Sequence, residues 1–241
     1  MDPDQVRTAR SPVSKQLVRV GGRRIWISRS GTGPPVLLLN GMARSPVTWK
    51  PLEQHLDGHE RIGVALPGGP DLKAWQPVLT MRGFAALVSE LLDELGIECA
   101  DVLGFSFGGM VAQQLALDAP ARVRRLVLAS TSCGLGGVPS NPAAWWRAIV
   151  ADGLPSGYEP FWFACRWGDA MCREFGIGWP NSLSLNESAQ QITAASLWSS
   201  LPWLARLTQR TLVIAGTADA LVPADNADML AAIMPDARTY L

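Results

Sequence analysis

Histidine is nearly absent from this 241-residue chain, with His55 and His59 as its only two copies. Cysteine is almost as scarce: Cys99, Cys133, Cys165 and Cys172 stand at spacings that contain no C-x-x-C pair. Four dispersed thiols and two imidazoles make a zinc site implausible, and the thiols are expected to stay reduced and to serve as packing residues. Excess charge of either sign is missing as well. Twenty-one basic residues balance twenty-one acidic ones, so no basic field draws the chain to nucleic acid or to an anionic membrane. Long apolar runs are lacking too. None approaches the roughly 18 residues of a membrane span, and the polar stretch 1–16 is followed by nothing resembling a secretory core. These features lead to the expectation of a cytosolic protein.

What the chain does have is apolar content: 48% of its residues are hydrophobic and 17% charged. That is enough to bury one sizeable core with room for an insertion. The pattern predicts a polar tail over 1–16 and a single domain over 17–241. Residues 17–20 and 23–28 flank Gly21-Gly22, the signature of a hairpin. The continuous apolar run 36–39 reads as a buried strand. The Gly31-Thr32-Gly33 before it is a turn and lacks the helix and Lys-Ser/Thr of a phosphate loop. Further strands are predicted at 61–65, 101–105, 123–129, 211–215 and 238–241. Helices are predicted at 49–56, 84–95, 107–118 and 224–234. Alternation of this kind implies an α/β fold with a mostly parallel, doubly wound sheet that opens with an antiparallel hairpin and carries helices on both faces.

Between 131 and 209 the rhythm breaks, and seven of the ten tryptophans fall there: Trp145, Trp146, Trp162, Trp167, Trp179, Trp198 and Trp203. The segment, about 132–209, reads as a helical insertion with its own small core, as an aromatic lid over the carboxyl ends of the strands where open α/β sheets place ligands, or as both.

Gly104-Phe105-Ser106-Phe107-Gly108-Gly109 joins a predicted strand to a predicted helix, which makes its G-x-S-x-G a candidate nucleophile elbow. A side chain at 104 or 108 would crowd so tight a turn. A serine hydroxyl needs a base to take its proton and donors for the oxyanion that forms. Asn40-Gly41-Met42 follows the buried strand, so the backbone N–H groups of Met42 and Phe107 are the candidate donors, with Asn40 and Gly41 shaping the substrate side. Asp219, at the carboxyl end of the 211–215 strand, is the candidate acid that orients an imidazole. Asp225, Asp228 and Asp236 read as helix-terminal or surface acids. The base is the difficulty: ten or more helical residues at about 1.5 Å each carry His55 and His59 roughly 15 Å from the Asn40 loop, toward the amino edge of the sheet. Neither follows the acid in the order Ser, Asp, His.

At these residues the chain resembles the α/β-hydrolases over essentially its whole length, and within them the intracellular poly(3-hydroxyalkanoate) depolymerases. The likeness rests on Leu38-Leu39-Asn40-Gly41-Met42, the Ser106 elbow, Leu126-Val127-Leu128-Ala129-Ser130-Thr131, and Thr211-Leu212-Val213-Ile214-Ala215-Gly216-Thr217-Ala218-Asp219. The resemblance implies that Ser106 and Asp219 belong to a triad and that the substrate is a small-molecule or polymeric ester cleaved through an acyl-serine. It implies no metal or organic cofactor. It also places a histidine in a Gly-His segment just beyond the last strand, which leads to the expectation of a carboxyl-terminal truncation and impaired activity. Ala65-Leu66-Pro67-Gly68 departs from the family's Asp-x-Pro-Gly, and 69–75 departs from its Gly-x-Ser, so local ordering there is expected to weaken. The same framework also supports lactone, carbon–carbon and cofactor-free peroxidase chemistry, or ligand binding without turnover. Oligomeric state is left open.

Overall fold

The computed structural model describes residues 14–42, 46–68, 78–144 and 185–241. Its centre is an eight-stranded sheet of order β1-β2-β4-β3-β5-β6-β7-β8. The strands are β1 (Ser14–Val20), β2 (Arg23–Ser30), β3 (Pro35–Leu39), β4 (Glu60–Val64), β5 (Ala100–Phe105), β6 (Val123–Ala129), β7 (Arg210–Ile214) and β8 (Ala237–Tyr240). β1 pairs antiparallel with β2 and β2 antiparallel with β4, and every later pairing is parallel. Gly21 and Gly22 both take positive φ, 53° and 75°, as a two-residue turn requires if its twist is to match the strands. The first strand starts at Ser14, three residues before the run that the apolar pattern marks.

Leu37, Leu38 and Leu39 have no solvent exposure, because β3 lies between β4 and β5 in the middle of the sheet. α2 (Met81–Glu94) is capped by Thr80, whose hydroxyl accepts from the Gly83 N–H at 3.2 Å. Its buried positions Phe84, Leu87, Val88, Leu91 and Leu92 recur at the helical period and form one stripe. That stripe meets α3 (Phe107–Asp118), where the rings of Phe84 and Phe107 pack edge to face with centroids 5.1 Å apart. α4 (Leu185–Ser196) precedes α5 (Asp225–Ile233), which covers β7 and β8. Parallel register places Val102, Leu126 and Thr211 on one face, and α3 and α5 both lie on it.

The opposite face also carries a helix, as expected, but is the more thinly covered of the two. Among the described residues it carries a 3-10 turn (Pro46–Trp49) and the single-turn α1 (Lys50–Glu53), beside β2 and β4. Toward the last strands Leu212 and Tyr240 remain exposed. The helix predicted over 49–56 is therefore much shorter. Pro51 has no N–H to give, so it fits only the first turn, and the chain leaves through tight turns in which His55 N donates to Leu52 O and Leu56 N to Glu53 O.

At the amino ends of β5 and β6, Asp101 takes paired hydrogen bonds from Arg124 and Arg125, at 2.9 to 3.1 Å. Burial opposes its charge, but these two guanidinium groups outweigh burial and hold the carboxyl below its usual range. Cys133 is buried with its thiol on the Met229 sulfur, as a packing residue should be, while Cys165 and Cys172 lie outside the described residues. Among the described residues no helix is long and apolar enough to cross a membrane, and no cluster of His, Cys, Asp and Glu could hold a metal.

Candidate active site

Ser106 stands between β5 and α3 with φ 52° and ψ −117°. A non-glycine residue there costs about 1–3 kcal/mol and persists only when its surroundings over-determine it. The surroundings are tight. A Cβ on Gly104 would sit 2.5 Å from the Gly108 carbonyl oxygen, and one on Gly108 would sit 2.6 Å from the Asn40 carbonyl oxygen. The absence of side chains at 104 and 108 thus lets the first turn of α3 press against both β5 and the end of β3. Ser106 occupies the N-cap position, yet its side chain makes no capping hydrogen bond. Its hydroxyl is left for other chemistry.

The loop after β3 comes to the same place. A Cβ on Gly41 would lie 3.1 Å from the Phe105 ring and 3.4 Å from Ser106 Cβ, so Gly41 faces the serine. Asn40 is buried and accepts from the Thr48 hydroxyl at 2.9 Å, which fixes the loop as it leaves the strand. Met42, half-buried, follows directly. Phe107 is the first residue of α3, where a backbone N–H has no acceptor within its own helix.

Asp219 lies beyond β7, two strands along from β5. At the spacing of neighbouring strands that is a lateral gap of about 10 Å, wide enough for an imidazole ring between the two side chains. The Asp219 Oδ1 atom accepts from the backbone N–H groups of Leu221 and Val222, both at 2.9 Å. Oδ2 has no partner among the described residues. The turn therefore holds the carboxylate by one oxygen and leaves the other available.

The structure brings Ser106, Gly41 and the Asn40 loop into contact and sets Asp219 at the same end of the sheet. It leaves both histidines elsewhere. His59 immediately precedes Glu60, the first residue of β4, which pairs with Pro35 at the start of β3. That is the amino end, opposite Ser106. His55 is exposed and contacts Gln54 at 3.3 Å, and His59 contacts the Asp57 carbonyl at 3.3 Å. Of the seven tryptophans in the insertion, Trp198 and Trp203 are described. They pack edge to face at 5.9 Å, and Trp198 is buried on α3 with its indole N–H donating to Gln114 Oε1 at 2.7 Å. These two build core, and the other five lie outside the described residues.

Sequence reasoning did not find Thr131 as part of this site, although its hydroxyl donates to the Ser106 carbonyl at 2.7 Å. Nor did it find Gln191, whose amide donates to the carbonyls of Leu66 and Pro67 at 3.1 and 3.2 Å. These bonds hold the loop that follows Ala65; residues 69–75 lie outside the described residues. Both contacts join segments distant in sequence, and no local pattern announces them.

The family of the alpha/beta hydrolase fold matches residues 34–162 of the chain, a span that contains the Asn40 loop, the elbow and β6. The chain belongs to the α/β-hydrolase family. The chain is 29% identical over 218 residues to a poly(3-hydroxyalkanoate) depolymerase of Ectopseudomonas oleovorans, covering 86% of this chain and 76% of that protein. It is 32% identical over 231 residues to a pimeloyl-[acyl-carrier protein] methyl ester esterase of Aromatoleum aromaticum, covering 85% of this chain and 87% of that protein. Among solved structures, a hydrolase from Pseudomonas aeruginosa superposes with a TM-score of 0.71 at 27% identity, over 94% of this α/β-hydrolase and 89% of the other chain.

Proposed function

We propose that the chain is a serine hydrolase of carboxylic esters, with hydroxyalkanoate esters or similar apolar acyl esters as substrates, and that these 241 residues work slowly because no imidazole reaches Ser106. The observation that carries this reading is the strained Ser106, its hydroxyl uncommitted, facing Gly41 at the carboxyl end of the sheet. The two named relatives act on different carboxylic esters, one polymeric and one a methyl ester, which favours the ester bond as the shared chemistry.

In this reading Ser106 Oγ attacks the ester carbonyl and its proton passes to a base. The oxyanion rests on the N–H groups of Met42 and Phe107, held in place before the reaction begins. The carbon–oxygen bond to the leaving group breaks, and the alcohol departs with the proton. Water then attacks the acyl-serine by the same steps and releases the acid. Asp219 would orient an added imidazole and stabilise its positive charge. With His55 and His59 at the amino edge, water must serve as the proton acceptor. The catalytic domain would span 17–241, with its lid over about 132–209, and work in the cytosol with no metal, organic cofactor or nucleic acid.

Substrate choice is testable with p-nitrophenyl esters of increasing acyl length, polyhydroxyalkanoate granules and a vinylogous diketone, each assayed with free imidazole. The expected result is turnover of apolar acyl esters that is lost in Ser106→Ala. Cleavage of the diketone without cleavage of any ester would replace this reading with carbon–carbon hydrolysis. The position of the two histidines favours one further reading, a binding protein that holds an apolar ligand without turnover. Ligand affinity unchanged in Ser106→Ala, together with no acylation of the wild type, would establish that alternative.

A further inference from the structure

Ser106 and Ser130 are the only non-glycine residues with positive φ among those described, at 52° and 43°. They stand side by side. Phe105 of β5 pairs with Ala129 of β6, so the two strained serines end neighbouring parallel strands. Each is tied to the next strand by its amide: Ser106 N donates to Ala129 O at 2.9 Å, and Ser130 N to Ile214 O at 2.8 Å.

Thr131, itself buried, closes this staircase. Its hydroxyl donates to the Ser106 carbonyl oxygen at 2.7 Å, which also accepts the N–H groups of Gly109 at 2.9 Å and Met110 at 3.3 Å. Gly109 makes room for the contact, since a Cβ there would lie 2.6 Å from Thr131 Cβ and 2.7 Å from its hydroxyl oxygen. The turn is also held from outside. Gln113, fully buried on α3, donates to the Ser132 carbonyl at 3.1 Å and accepts from the Ser200 hydroxyl at 2.7 Å. Ser200 N in turn donates to Cys133 O at 2.8 Å. The two stems of the insertion are thereby fastened to the helix that follows Ser106.

We propose that Thr131 is a positioning residue for Ser106: its hydroxyl grips the serine's carbonyl and keeps the serine in the left-handed conformation that turns its side chain toward Gly41. The inference rests on Ser106 being the nucleophile. Thr131 touches no reacting atom and acts through the backbone of the elbow. A carbonyl that can rotate lets the peptide unit relax, and a misplacement near 1 Å at a reacting group can lower a rate by about 10²-fold.

Three variants test the proposal: Thr131→Ser keeps the hydroxyl, Thr131→Val keeps the shape, and Thr131→Ala keeps neither. Each is crystallised, and each is followed by mass spectrometry for fluorophosphonate labelling of Ser106 in the presence of free imidazole. The expected result is that Thr131→Ser retains positive φ at Ser106 and labels within about twofold of wild type. Thr131→Val and Thr131→Ala should shift Ser106 and label about tenfold or more slowly. Ser106 unmoved in Thr131→Val or Thr131→Ala, with labelling at the wild-type rate, overturns the proposal. If the wild type takes no label even with imidazole, the nucleophile reading fails, and the Ser106 geometry in the three crystal structures still decides what Thr131 does.

Discussion

Free imidazole is expected to raise ester hydrolysis by this chain with its concentration, toward the roughly 10²-fold at the lower end of what a positioned general base contributes, and to raise it only while Ser106 is present. Three observations lead to this expectation. The Ser106 hydroxyl makes no capping bond. Asp219 keeps one carboxylate oxygen without a partner among the described residues, while the other takes two backbone N–H groups. The gap of about 10 Å between their strands is spanned by neither histidine. A diffusible imidazole could occupy that gap, take the serine proton and return it to the leaving alcohol. The comparison is the initial rate on p-nitrophenyl butyrate against imidazole concentration, in wild type and in Ser106→Ala, with the latter subtracting imidazole's own reaction with the ester. A wild-type rate that rises no faster than that of Ser106→Ala would mean the space is closed to a base.

Gly108→Ala is expected to destabilise the chain by about 3 kcal/mol, the upper part of the usual range for overpacking a filled interior. The new methyl would meet the Asn40 carbonyl oxygen at 2.6 Å and the Leu39 carbonyl still more closely. Both are backbone atoms at the end of the central strand, so neither can swing aside as a side chain would. Relief would have to come from lifting α3 off β3, which would also draw Ser106 away from Gly41. Gly96→Ala makes the contrast. Nothing lies within 4 Å of a Cβ at Gly96, but φ is +68°, so only the left-handed backbone is penalised, at about 1–2 kcal/mol. Urea unfolding of both variants checks the order, and equal losses would show that α3 can lift off β3 at little cost.

Much of the fold can be read from local pattern, because its elements carry their own signals. The strand over 123–129 and the helix over 107–118 have the limits that the apolar runs predict. Gly21-Gly22 makes the predicted turn. The stretch at 49–56 misleads because its apolar spacing suits a helix while Pro51 forbids a long one. At the site, Ser106, Gly41 and Asp219 are legible because each sits at the end of a strand, where chain order alone fixes the edge of the sheet on which it emerges. Thr131 and Gln113 are not legible. Their partners, Ser106, Ser132 and Ser200, lie 19 to 87 residues away, and only the assembled sheet brings them together. Trp198 reads from sequence as either core of the insertion or part of a lid, and the indole hydrogen bond to Gln114 commits it to core.

The most direct test of Ser106 as an unaided nucleophile is to map the adduct formed when the 241-residue chain is treated with a fluorophosphonate. Peptide mass spectrometry is expected to find the phosphonyl group on Ser106 alone, added slowly in buffer, faster with imidazole, and not at all in Ser106→Ala. An adduct on any other residue, or labelling of Ser106 that is rapid and indifferent to imidazole, would contradict the account.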